Sequence, residues 1–112
     1  MDIRIEPHPD AHVVHVAESR IDASSAIQFK DKVRNLIDGV EGRVLLDLGE
    51  VDFVDSSGLG AIVAVMKMLG AGRRLELAAL RPNVEKVFRL TRMDKVFIIH
   101  DSVEIGLAPH AA

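Results

Sequence analysis

No cysteine, tryptophan or tyrosine occurs in the chain, and four phenylalanines are its only aromatic residues. Without cysteine there can be no disulfide and no thiolate metal site. So few aromatics leave no platform on which nucleotide bases could stack. An excess of positive charge is also missing. Fourteen basic residues face seventeen acidic ones, for a net charge of −3. General binding to a phosphate backbone needs a basic stripe, so no nucleic-acid partner is expected. Long apolar runs are absent as well. The longest, Gly58 to Met66, falls far short of the ~20 residues that span a bilayer, so no membrane insertion is expected. The opening "MDIRIEPHP" lacks the basic stretch and apolar core of a secretory signal, which points to a cytoplasmic protein.

What is present is ample apolar material. Hydrophobic residues make up 48% of 112 residues, enough for one core, and the length predicts a single domain over residues 1–112. Repeats, low-complexity tracts and linkers are not evident. Ile3 and Ile5 alternate with polar neighbours as in a half-buried strand, and "PHPD" turns the chain. "HVVHVA" (12–17) reads as a second strand. In "IDASSAIQFKDKVRNLIDG" (21–39), Ala26, Phe29, Val33, Leu36, Ile37 and Val40 recur at helical spacing. Asp22 or Ser24 suits the start of that helix, and Gly39 or Gly42 its end. "RVLLDL" (43–48) is a continuous apolar strand, as in a parallel sheet.

A helix is predicted from Leu59 to Leu69, broken by "GAG". "RLELAAL" (74–80) reads as a strand with Leu75 and Leu77 on one face. Pro82 then opens a helix with a stripe of Val84, Val87, Phe88 and Leu90. "KVFIIH" (95–100) is a last strand, and Ser102 caps a short terminal helix. Strands alternating with helices predict an α/β fold: a mixed sheet of about four to five strands with about four helices.

Several chemistries fail on spacing. A nucleophile elbow needs glycine two residues before and two after its serine, and neither Ser56 nor Ser57 has both. "GLGAIV" has Val63 where a dinucleotide loop needs its third small residue, and no phosphate-loop lysine follows. His12 and His15 lie three apart in a strand and so face opposite ways, while His8, His100 and His110 share no ligand spacing. The histidines are expected to be solvated surface residues, with no metal, no cofactor and no catalytic residue. These failures disfavour an enzyme, a small hydrolase in particular.

The unusual segment is "VDFVDSSGLGAIVAV" (51–65), where a short apolar strand meets Asp55, Ser56, Ser57 and Gly58 and then a nearly all-apolar helix. Asp55 or Ser56 can cap that helix, and Gly58 permits close approach of another backbone. A cap does not need two serines, a carboxylate and two glycines together, however. Such a loop is exposed and offers a hydroxyl to a visiting enzyme. The helix itself suits either a buried central position or, along its small residues, a surface that binds and releases a partner.

"VDFVDSSGLGAIV" resembles the signature loop of the STAS domain family, and in particular the bacterial anti-sigma factor antagonists. "RIDASSA" resembles the family's earlier segment, and "RLELAALRPNVEKVFRLTRMDKVFIIHDSVE" its closing strand–helix–strand–helix portion. Ser19 differs from the glycine often found three residues before the earlier aspartate, here Asp22. The resemblance implies that Ser56, more than Ser57, is phosphorylated by an ATP-binding anti-sigma factor that is also a serine kinase. It further implies a partner-binding surface of Asp22, Asp55, Ser56, Ser57, Gly58, Leu59 and Gly60. Unphosphorylated, such a protein binds its kinase and frees a sigma factor; phosphorylation ends the complex, and a serine phosphatase resets it. The alternative within the same family is a non-switching subunit of a lipid-transport or stressosome-like assembly.

Overall fold

Strands β2 (Ala11–Val16) and β4 (Arg43–Asp47) lie inside a five-stranded sheet because both of their faces are apolar. Val13, Val14, Leu45 and Leu46 are all fully buried, as strands covered on two sides require. The structure, a computed structural model, describes residues 1–70 and 72–108; His110 lies outside them. The strand order is β1 (Ile3–Pro7), β2, β4, β6 (Leu75–Ala78) and β7 (Ile98–His100). β1 is antiparallel to β2, and every other pair is parallel. A separate parallel pair joins β3 (Arg20–Ile21) to β5 (Phe53–Val54). The mixed sheet and its four α-helices match the sequence expectation.

Alternate residues of each strand feed two cores. Val14, Leu46 and Leu77 pack with α1 (Ala26–Ile37), α2 (Ser56–Leu69) and α3 (Pro82–Leu90) through Phe29, Val33, Ile62, Val65 and Phe88. On the opposite face Val13, Leu45 and Ala78 meet Val103 and Leu107 of the short α4 (Val103–Leu107). Pro82 stands in the first turn of α3, and Ser102 caps α4 by accepting from the Ile105 amide at 3.1 Å.

Several local expectations change. The first helix begins at Ala26, later than a cap at Asp22 or Ser24 would start it, because the Asp22 carboxylate folds the residues before Ala26 into a turn. Its Oδ1 accepts from the Ser24 amide at 3.1 Å and the Ser24 hydroxyl at 2.7 Å. Asp22 and Ser24 therefore do not cap the helix. Val40 falls beyond its end. Leu90 is 71% exposed: at 3.6 residues per turn it lies about 200° round α3 from the buried Phe88, on the outer face. The final strand shortens to Ile98–His100, because Met93–Lys95 forms a 3-10 turn. β6 is buried on both faces, not alternating.

The solvated reading of the histidines is corrected too. His15 Nδ1 lies 2.7 Å from Asp47 Oδ2 in the neighbouring strand. His100 Nε2 lies 2.7 Å from Glu76 Oε1. Glu76, at 3% exposure, is tolerated because Arg43 meets it with two bonds of 2.7 and 2.8 Å. Burial pushes the Glu76 carboxyl up, but the bonds from Arg43 and His100 outweigh it and hold it below the ordinary value. Arg43 also donates to the Gly106 carbonyl at 2.6 Å, which fastens α4 to the sheet.

Candidate functional site

The β3–β5 pair carries two strand-to-helix junctions to one place. Arg20 is registered with Phe53 and Ile21 with Val54, so the turns that follow, toward α1 and α2, emerge side by side. Ser19 serves this pairing with its carbonyl, which accepts from the Asp52 and Phe53 amides at 2.8 and 3.2 Å. Its φ is not positive, so the position needs no glycine.

Asp55 ties the junctions together. One carboxylate oxygen accepts from the Gly58 amide at 2.8 Å and so caps α2. The other accepts from the Ala23 amide, 32 residues earlier in the chain, at 3.0 Å. Asp22 stands beside Ala23, and its carboxylate is engaged within its own turn. It receives Ser24 as above, the Ser25 hydroxyl at 3.3 Å and Arg20 Nε at 3.1 Å. The Ser24 hydrogen bond, followed by Arg20, lowers the Asp22 pKa to about 2. Asp22 is therefore ionised near neutral pH, and hydrogen bonds hold both side chains in place.

The remaining site residues divide by exposure. Gly58 is buried, and a Cβ built on it would overlap the Ile21 carbonyl. Asp22, Asp55 and Leu59 are half-buried, while Ser56, Ser57 and Gly60 are exposed. Helix α2 begins at Ser56 and not at Leu59, because Asp55 caps it earlier. Ser56 thus occupies the first helical position. The helix is neither wholly buried nor wholly a surface: Ala61, Ile62, Val65 and Leu69 are buried, whereas Lys67 and Met68 are exposed.

Two pairs near the junctions were not legible as site residues. The Arg20 guanidinium lies 4.1 Å from the centroid of the Phe53 ring, and Phe53 is 39% exposed. On α1, Ile27 and Lys30 share a groove with Ser57. Ile27 carried a sequence signal, since it is apolar yet off the Ala26–Phe29–Val33–Ile37 stripe.

A family model for the STAS domain matches residues 2–105. The chain belongs to the STAS domain family. As a STAS domain it is 29% identical over 100 residues to a Bordetella bronchiseptica protein bearing the name anti-sigma factor antagonist BtrV, covering 88% of this chain and 86% of that one. A Thermotoga maritima crystal structure, also named for an anti-sigma factor antagonist, is similar at 25% identity with a TM-score of 0.80. That alignment covers 94% of this chain and 91% of the other. A Bacillus cell-fate determinant in its phosphorylated form shares the fold at 21% identity, with a TM-score of 0.66 over 95% and 96% of the two chains. Among the described residues of this STAS domain, no helix is long and apolar enough to cross a membrane.

Proposed function

We propose that this STAS domain is a cytoplasmic anti-sigma factor antagonist, a one-domain binding module and not an enzyme, switched by phosphorylation of Ser56. Unphosphorylated, it binds an anti-sigma factor that is also an ATP-dependent serine kinase, and the sigma factor is released. Transfer of the phosphoryl group to the Ser56 hydroxyl dissolves the complex, and a serine phosphatase restores it.

The observation that carries this reading is the division of labour between Asp55 and Ser56. Asp55 already caps the helix through Gly58, so the exposed Ser56 hydroxyl is not needed for that role. A phosphate at the first helical position meets free amides and the positive end of the helix dipole, so the free protein tolerates it. The same phosphate adds about −1.5 to −2 charges beside the acidic side chains of the two junctions, Asp55 and Asp22. Repulsion then falls on the partner's complementary surface. A loss of ~3 kcal/mol is about a hundredfold in affinity, enough for a switch.

The test is reaction with the cognate kinase and ATP, followed by phosphopeptide mapping. Phosphate on Ser56 that disappears in Ser56→Ala is the expected result. Modification that persists in Ser56→Ala and vanishes in Ser57→Ala would move the site by one residue. No modification of either serine would leave a non-switching role.

A further inference from the structure

Gly58 and Gly60 sit two residues apart in α2, but the fold needs only one of them. A Cβ at Gly58 would overlap backbone; a Cβ at Gly60 would have no neighbour within 4 Å, and its φ is an ordinary one. Glycine inside a helix lowers stability relative to alanine. Nothing within the described chain compensates for that at Gly60, which is exposed. Its missing side chain keeps space open outside the molecule.

That space is a groove of about 300 Å³ between α1 and α2, lined by Ala26, Ile27, Lys30, Ser57, Gly60 and Ala64, among others. Its α2 wall is small residues, so an incoming group can approach the helix backbone closely. Its α1 wall is Ile27, 71% exposed, followed one turn later by Lys30. An aliphatic side chain this exposed gains by being covered. Among the described residues Lys30 is the only ionic group lining the groove; the two nearby acids are engaged elsewhere, Asp22 within its own turn and Asp55 between the Gly58 and Ala23 amides. The groove is continuous with the serine junction, since Ser57 lines it and Ser56 adjoins Ser57.

We infer that this groove is the docking half of the site: it receives a large apolar side chain of the anti-sigma partner, with a carboxylate of that partner set against Lys30. This rests on the proposed function, and it adds α1 to the binding surface. Docking here would seat the kinase over the adjacent Ser56 hydroxyl, and the apolar and ionic contacts would set register before transfer.

Titration calorimetry of the unphosphorylated full chain with its cognate anti-sigma factor and ADP tests this, with thermal melts as the control for folding. Gly60→Leu fills the groove and should weaken binding at least about tenfold, as loss of a central contact does. Its melting temperature should be equal to or above that of the wild type, because leucine favours helix over glycine. Ile27→Glu should lose affinity to a similar degree without a change in melting temperature. Lys30→Ala should reduce the salt dependence of binding. If the wild type does not bind, the antagonist reading itself is wrong. If the wild type binds and both Gly60→Leu and Ile27→Glu bind within twofold of it, the groove is not the docking surface and the antagonist reading stands.

Discussion

The Ala23 amide donates to the Asp55 carboxylate at 3.0 Å across 32 residues of sequence. One side chain therefore caps α2 and holds the turn that leads to α1. Its removal should be felt in both places. Asp55→Ala is expected to cost about 1–2 kcal/mol, from the lost cap and the released Ala23 amide. Asp55→Asn keeps one acceptor oxygen where the carboxylate uses two, so its cost should be smaller. Urea denaturation of the three proteins checks the order; equal stability of all three would refute the bridging role.

Gly58 is a packing requirement of the fold before it is a contact for any partner. Gly58→Ala places its methyl group into the Ile21 carbonyl, and backbone cannot move aside as a flexible side chain does. A loss of about 1–3 kcal/mol is expected, toward the upper end for that reason. Amide exchange should also speed up at the β3–β5 pair. An unchanged melting temperature would show that β3 shifts without cost.

Charge at Ser56 should control binding and leave folding alone. Ser56→Asp is expected to weaken the complex with the anti-sigma factor by about tenfold, less than true phosphorylation, because aspartate brings one charge and fewer acceptors. Ser56→Ala should bind at least as tightly as the wild type. Both should lie within about 0.5 kcal/mol of wild-type stability, since the cap belongs to Asp55. Calorimetry on wild-type, mutant and enzymatically phosphorylated protein measures this directly. Identical affinities throughout would end the phosphoswitch reading.

Acid should reveal the Asp22 turn. Its folded pKa of about 2 lies below the ordinary 3.8, owing first to the Ser24 hydrogen bond and then to Arg20. A carboxyl depressed in this direction stabilises the fold above its unfolded pKa. That contribution fades as pH falls from 3.8 toward about 2. Asp22→Asn removes the titration, so its stability should fall less steeply than the wild type's across that interval. Parallel acid-denaturation curves would overturn the assignment. The same variant tests the partner role, because a structural Asp22 changes stability and a docking Asp22 changes affinity for the anti-sigma factor.

Much of this protein was legible in the sequence alone, where local rules suffice. Helical spacing at Phe29, Val33 and Ile37, the two-sided apolar run of Arg43–Leu48, Pro82 in a first turn and Ser102 as a cap all depend on neighbours within a turn or a strand. The Asp55–Gly60 segment was recognisable because its chemistry is compressed into six residues. Tertiary structure decided what joins distant segments. No local pattern pairs Arg20–Ile21 with Phe53–Val54, assigns the cap to Asp55 over Ser56, or explains Gly58 by the Ile21 carbonyl and Gly60 by nothing inside the fold. The solvated reading of His15 and His100 failed for the same reason, since Asp47 and Glu76 reach them only through strand register. Period and capping are properties of a few successive residues, whereas a hydrogen bond across the sheet or a groove between two helices exists only once the chain has closed on itself.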